Sequence, residues 1–479
     1  MPDQSETPLA DAVAAFLADE RITPFSTPGH KRAPHLVDEL LRHDLPLSAG
    51  ADDLHLRADV LGRAERLAAE LWEADVCRFC VNGSTQGNQA FMLALGRPGD
   101  RVVISRNVHK SLFAGLVLAG LEPVWVCPEI DAGTGLPLGV RAARVRDALG
   151  EAPDARAVVL VEPSYVGTIS DVTAIASASH EAGIPLVVDQ AWGAHLGFHA
   201  STPPHTLALG ADGMVTSAHK TLASFTQGAY LFARSGWLDL ARVDEAFEVL
   251  HTTSPSAAIL ASLDRTRALV ATRGEELIGA AVGLAARARE TLRTVCGLAV
   301  LDESVVREET GVACHDPTKL VVALAATGAD GLAVEADLFG DGIRLELANR
   351  DTLVPLLTIG DTEESVGRLV AALVRSVELR RDDPRKPGGA SVVWSIEPDV
   401  ALTPREAFFA SRETVAAAGA AGRIAAEIVA PYPPGIPAIA PGEVVRAPIL
   451  AALHEAVNAG TRMAYCVDPT LATLQVVAR

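Results

Sequence analysis

Two apolar runs a short way apart each end in residues equipped for chemistry. Leu186-Val187-Val188 closes on Asp189, followed by Gln190-Ala191-Trp192, and Met214-Val215 leads into Thr216-Ser217-Ala218-His219-Lys220. A lysine for a Schiff base and a buried acid that keeps a pyridine nitrogen protonated are what pyridoxal 5'-phosphate requires of a protein. Taken alone, Asp189 and Lys220 could simply end two strands. The case for chemistry rests on further pieces that converge with them.

The phosphate of such a cofactor needs backbone donors at a helix start. Val81-Asn82-Gly83-Ser84-Thr85-Gln86-Gly87-Asn88 supplies a strand-to-helix turn with glycines, hydroxyls and Gln86, followed by an apolar helical run through Leu95. Free N–H groups at that turn, with the Ser84 and Thr85 hydroxyls, can cradle a dianion. A turn of this composition is most often only an N-cap, so its weight comes from its place ahead of Asp189 and Lys220. His109, in Ser105-Arg106-Asn107-Val108-His109-Lys110-Ser111, again follows a strand and opens a helix. An imidazole there can stack on a cofactor ring; by itself it would read as a polar cap.

The elements that must position these residues are legible from their periodicity. Between about 51 and 306, strand-like runs alternate with Ala- and Leu-rich helical stretches, which argues for a mostly parallel sheet flanked by helices. Strands are expected at Arg101–Ile104, Pro123–Val126, Ala157–Val161, Pro185–Val188 and Gly213–Thr216, with helices at Ser111–Leu118 and Val172–Ala182. Ligands of such sheets gather at the carboxyl ends of the strands, where Asp189 and Lys220 fall. Residues 1–50 read as an N-terminal arm too short to bury its own core. Residues 307–479 read as a smaller α+β domain, with a breaker-rich charged link near 380–390.

Composition limits the possible functions. Forty-one basic against 60 acidic residues leave a net charge of −19, which disfavours nucleic acid and anionic membrane surfaces as partners. At 49% hydrophobic and 21% charged, the 479 residues form an ordinary globular mix of two or three domains. No apolar run reaches membrane-spanning length and the N-terminus lacks a signal pattern, so a cytoplasmic enzyme is expected. Six scattered cysteines suggest buried, reduced thiols. Cys77 and Cys80 have no second pair at zinc spacing, so no metal is expected.

In order along the chain, Thr27-Pro28-Gly29-His30-Lys31, Asn82 to Asn88, Arg106-Asn107-Val108-His109-Lys110-Ser111, Pro163-Ser164-Tyr165, Val188-Asp189-Gln190-Ala191, Ser217-Ala218-His219-Lys220, Asp316-Pro317-Thr318-Lys319-Leu320 and Pro431-Tyr432-Pro433-Pro434-Gly435 form a specific set. On these the chain resembles the ornithine/lysine/arginine decarboxylase family, in its short form without the N-terminal wing domain. The resemblance implies a fold-type I, aspartate aminotransferase-like large domain and a smaller α+β C-terminal domain. It also implies that Lys220 carries the cofactor, Asp189 meets the pyridine nitrogen and His109 stacks on the ring. Ser84, Thr85, Ser217 and His219 would hold the phosphate, and Ala191 would lie beneath the ring. A homodimer or a dimer of dimers is the implied assembly.

Two further positions bear on substrate choice. Short-form relatives often read Asp-Glu-Ala-His where this chain has Asp189-Gln190-Ala191-Trp192, and long-form ornithine and lysine decarboxylases resemble it in carrying Trp. Trp192 therefore shapes the pocket or is plain core. Thr403-Pro404-Arg405-Glu406-Ala407-Phe408-Phe409 also fits the family, and Glu406 could meet a distal substrate cation or could belong to a helix start. The expected activity is decarboxylation of a basic L-amino acid, arginine or lysine ahead of ornithine, to the amine and carbon dioxide. Alternatives are an aminotransferase or oxygen-dependent oxidase on the same fold, and a non-catalytic cofactor-binding regulator.

Overall fold

The computed structural model describes residues 2–19, 21, 27–33, 35–38, 41–45, 47, 60–131, 133–387, 393–394, 396–432 and 435–479. The expected junction of arm and large domain at 50/51, the end of the 380–390 link, and Pro433-Pro434 lie outside the described residues.

A seven-stranded sheet organises the first two thirds of the chain. Its strands are β1 (Val76–Cys80), β2 (Arg101–Ser105), β3 (Glu122–Val126), β4 (Val158–Val161), β6 (Leu186–Asp189), β7 (Gly213–Thr216) and β8 (Ala229–Ala233), in the order β1-β8-β7-β6-β4-β2-β3. The short β5 (Thr168–Ile169) lies outside it. Strands β3, β2, β4, β6 and β7 run parallel, while β8 is antiparallel to both β7 and β1. The expected strands are found within a residue or two of their sequence bounds.

Alternation along each strand explains the layering. Val158, Leu160, Leu186, Val188 and Met214 feed one core, and their neighbours Val159, Val161, Val187 and Val215 feed another on the opposite face. Such strands must be apolar on both sides, which is why they read as unbroken Val/Leu/Ile runs. Helices α3 (Gly83–Leu95), α4 (Lys110–Ala119) and α8 (Leu240–Leu250) cover the second face through Phe91, Met92, Leu112, Phe113, Val243 and Phe247. The first face is covered by α1 (Pro8–Ala18), α2 (Val60–Leu71), α5 (Ala142–Glu151), α6 (Val172–Glu181) and the start of the 37-residue α9 (Ala257–Arg293). One short helix, α7 (Ala218–Thr221), sits at the end of β7.

Beyond α9, two more cores follow. Strands β9 (Ala299–Val300), β11 (Val322–Ala323), β12 (Leu347–Ala348) and β13 (Thr352–Val354) form an antiparallel sheet that shares a core with the end of α9, α10 (Gly331–Gly340) and α11 (Glu363–Leu379). Strand β10 (Cys314–His315) instead pairs with β5, tying this region back to the connection between β4 and α6. Residues from Val393 to Leu474 bury a core of their own. Among the described residues the stretch 307–479 thus carries these two cores and shares a third with the large domain, where Val312, Val321, Leu347 and Val354 meet Leu136, Leu138 and Val166, and the smaller sheet already begins at Ala299. All six cysteines are free; Cys77, Cys80 and Cys127 are buried, but Cys296 is exposed, which corrects the expectation of six buried thiols. Among the described residues, no helix is long and apolar enough to cross a membrane.

Candidate active site

Strands β6 and β7 are adjacent and parallel, with Asp189 in register with Val215, so their carboxyl ends open at the same edge of the sheet. Asp189 is the last residue of β6; after β7, Ser217 immediately precedes α7 and the helix delivers His219 and Lys220 to that edge. The Asp189 carboxyl is buried, and burial pushes its pKa up against the pull of Lys220, Asn88 and the Ala191 amide. Burial pushes the Lys220 ammonium down, opposed by Asp189 and Glu346. A lysine poised to lose its proton beside a carboxylate is what nucleophilic chemistry needs.

Helix α3 approaches the same edge. Its first residue, Gly83, has φ +68° and donates its N–H to the Gln227 carbonyl at 2.8 Å, which pins the turn. Gly87 lets the helix rest directly on β7, since a Cβ there would stand 2.8 Å from Val215 Cγ1. That close approach brings Asn88 over Asp189. Asn88 Nδ2 donates to Asp189 Oδ2 at 2.7 Å and to Ser111 Oγ at 2.9 Å, using both of its hydrogens.

Ser111 relays this arrangement to His109, the N-cap of α4. His109 Nδ1 accepts the Ser111 amide at 3.3 Å and lies 2.9 Å from Ser111 Oγ. Because Ser111 Oγ already accepts from Asn88, its own hydrogen points to Nδ1, which leaves the His109 proton on Nε2. Burial, with Lys220 and Lys110 nearby, lowers the His109 pKa to about 4, so the ring is neutral at physiological pH.

The anion cradle has an observable counterpart. Ser217 Oγ is buried and without a hydrogen-bond partner among the described residues, at the start of α7. An orphaned hydroxyl one turn ahead of Lys220 suits a phosphate oxygen. Ser84 and Thr85 lie in the first turn of α3, where backbone N–H groups are free of helical partners. His219 Nδ1 donates to the Gly228 carbonyl at 3.0 Å, which leaves Nε2 for another partner. Gln86 Nε2 donates to His251 Nδ1 at 2.9 Å, its Oε1 is buried without a hydrogen-bond partner among the described residues, and its backbone N–H lies in the cradle turn. These donors fit a phosphate, and Asp189 with Lys220 fits the ring and aldehyde of pyridoxal phosphate.

Trp192 and Gln190 part ways. Gln190 is buried and spans its own loop, donating to the Gly193 carbonyl at 2.8 Å and accepting the Thr206 amide at 2.7 Å. Trp192 faces the site: the Lys220 Nζ stands 4.2 Å from its ring centroid and the Lys319 Nζ 4.1 Å. Tyr165 meets Trp192 edge-on at 6.4 Å, and Ala191 is buried beside Asp189, whose carboxylate accepts its N–H.

Glu406 stands elsewhere. Its carboxylate accepts the Thr403 amide and hydroxyl, both at 2.9 Å, in a capping box at the exposed start of α12 (Pro404–Phe409). The next residue back, Arg405, binds the carbonyls of Val117 and Leu118 at the far end of α4 from His109. Within one chain, then, Glu406 is separated from Lys220 by most of α4.

Sequence reasoning missed Asn88, Ser111 and Lys319 as site residues. Asn88 carried a usable signal, because it lies four residues after Ser84 and so on the same helix face. Lys319 carried only its place in one of the motifs of the family resemblance, since Asp-Pro-Thr-Lys-Leu by itself reads as the entry to a strand. Among the described residues, no cluster of three or more His, Cys, Asp or Glu is placed to hold a metal ion.

Comparison with known proteins agrees with this geometry. Residues 7–365 match the family model for the Orn/Lys/Arg decarboxylase major domain, and residues 390–463 match the C-terminal domain of the same family. The chain is 33% identical to the arginine decarboxylase of Halalkalibacterium halodurans over 486 aligned positions, covering 100% of this chain and 99% of that protein. It is also 33% identical to the arginine decarboxylase of Bacillus subtilis, over 99% of this chain and 98% of the relative. In fold it is similar to the lysine decarboxylase LdcF of Francisella novicida, with TM-score 0.83 and 19% identity, covering 98% of this chain and 81% of that one.

Proposed function

The chain belongs to the Orn/Lys/Arg decarboxylase family, a group of fold-type I enzymes that use pyridoxal phosphate to decarboxylate basic amino acids, and on that premise we propose that its substrate is L-arginine, with L-lysine second. The observation that carries this choice is the end-to-end 33% identity to arginine decarboxylases. By contrast, the lysine decarboxylase of Pseudomonas aeruginosa is 25% identical and is covered over 68% of its length.

The roles of the residues follow from their contacts. When bound, the cofactor supplies a ring that accepts the electron pair left on the α-carbon as carbon dioxide departs. Asp189, held by Asn88 and the Ala191 amide, would keep a proton on the ring nitrogen. His109 presents a neutral imidazole face to the ring. Ser84, Thr85, Ser217, His219 and the Gln86 backbone hold the phosphate, and Ala191 supports the ring from below. Lys220 would hold the cofactor through its aldehyde carbon, and as a neutral amine it is placed to move a proton at the substrate α-carbon. Trp192 shapes the pocket beside it.

Thr226 and Gln227, just past Lys220, are exposed, and Phe225 is 56% exposed. This exposed apolar ring supports a homodimer or a dimer of dimers that covers it; a monomer in sedimentation would refute that assembly.

The deciding experiment is incubation with L-arginine, L-lysine and L-ornithine separately, with carbon dioxide and amine quantified. Equimolar carbon dioxide and the guanidino amine from arginine, at the highest kcat/KM, is expected. A keto acid, ammonia or peroxide in place of the amine would instead indicate transamination or oxidation, and no turnover at all a regulator.

A further inference from the structure

Lys319 projects from a turn that is held on several sides. Asp316 Oδ1 accepts the amide and hydroxyl of Thr318 at 2.9 and 2.8 Å and lies 3.1 Å from His195 Nε2. Arg289 of α9 donates to the carbonyls of Lys319 and Pro317 at 2.9 and 2.8 Å, and the Asp316 amide donates to the Gly167 carbonyl at 2.8 Å. Gly167, at φ +85°, leaves the corridor through which the lysine stem passes. Any Cβ there would stand 2.4 Å from Lys319 Cγ.

At the end of that corridor is the Trp192 ring. Lys319 is 3% exposed, and among the described residues its ammonium makes no ion pair or hydrogen bond. It stands 4.1 Å from the ring centroid, and Lys220 Nζ stands 4.2 Å from the same centroid. The two nitrogens are therefore no farther apart than the sum of those distances. Two cations sharing one buried aromatic wall repel each other with little water to screen them.

The surrounding charges decide which of the two gives up its proton. Asp189 from β6 and Glu346 ahead of β12 favour the Lys220 ammonium; Asp316 and Glu346 favour that of Lys319, and the Lys220 charge opposes it; His109 and His219 are the other titratable neighbours, both pushed toward neutrality by burial. Burial, with the Lys220 charge beside it, lowers Lys319 to about 8, and it remains mostly cationic at neutral pH while the repulsion it feels from Lys220 acts equally on Lys220. Once Asp189 is committed to the ring nitrogen, Lys220 loses its strongest support, whereas Asp316 stays on the Lys319 turn.

We propose that Lys319 is a positioning residue whose cation, sharing the Trp192 ring with Lys220, keeps the Lys220 nitrogen unprotonated. A neutral Lys220 can add through its lone pair to the aldehyde carbon of the cofactor, with one water leaving, and can accept a proton after the substrate amine displaces it. The inference rests on the reading of Lys220 as the cofactor-bearing lysine.

The test is a pH titration of the visible absorbance band of the bound cofactor in the holoenzyme, comparing wild type with Lys319→Met and Lys319→Arg. Removing a neighbouring cation lets the Lys220 nitrogen keep its proton to higher pH, so the midpoint in Lys319→Met should rise by roughly one to two pH units. Lys319→Arg should stay near wild type. A band lost in Lys319→Met but kept in Lys319→Arg also supports a role of charge. An unchanged midpoint in Lys319→Met, or loss of the band in both variants, overturns the proposal, the latter in favour of plain packing. Absence of the band in wild type would instead overturn the reading of Lys220 itself.

Discussion

Asn88 Nδ2 donates to Asp189 Oδ2 at 2.7 Å, joining two buried residues that are 101 positions apart in the chain. The contact exists because α3 lies on β7 at Gly87, close enough for the first turns of the helix to reach the end of β6. It serves two purposes at once. It steadies the Asp189 carboxylate proposed to meet the ring nitrogen, and through Ser111 it sets the tautomer of His109.

Removing that amide should therefore loosen the cofactor without unfolding the protein. Asn88→Ala strips one charge-assisted donor from a buried carboxylate, a loss on the order of 1–3 kcal/mol. Cofactor dissociation, followed by absorbance on dilution, should become about tenfold or more easier while the thermal midpoint moves little. Unchanged cofactor affinity would remove Asn88 from the site.

Acid sensitivity should have an identifiable source at His205. Burial lowers its pKa to about 4, against about 6.5 in an unfolded chain. Between those values the unfolded chain binds the proton first, so the contribution to stability is fully present above pH 6.5 and is lost as the pH falls toward 4. The loss is on the order of 2–3 kcal/mol across that window. In His205→Gln, urea midpoints measured at pH 7.5 and 5 should differ less than in wild type. An equal difference would place the acid sensitivity elsewhere.

Glu406 should be silent in catalysis. Its oxygens are engaged with Thr403, and glutamine keeps the capping box. Glu406→Gln is expected to leave KM and kcat for a basic amino acid at wild-type values. A KM raised several-fold at constant kcat would return Glu406 to the substrate site, reached from a second subunit.

What was legible in the amino-acid order was whatever depends on near neighbours. Apolar runs that must be buried on both faces marked the parallel strands, and the polar residues at their ends marked Asp189, His109 and Lys220, because in such sheets strand termini are where side chains meet a ligand. The helix-start alternative for Glu406 was equally visible in Thr403-Pro404-Arg405-Glu406.

Long-range partners were not legible. Periodicity states which face of an element is buried but not what lies against it. Gln190 and Trp192, two residues apart, could not be assigned to loop and pocket until the chain turned at Gly193. Lys319 could not be joined to Lys220 until β10 paired with β5 and Gly167 opened a corridor to Trp192. The sequence by itself determined the sheet and the cofactor chemistry of the family, and singled out Lys220 as the candidate to bear that cofactor. The tertiary structure alone decided which polar groups stand around Lys220, because charge and hydrogen bonding act over a few ångströms of space that no spacing along the chain encodes.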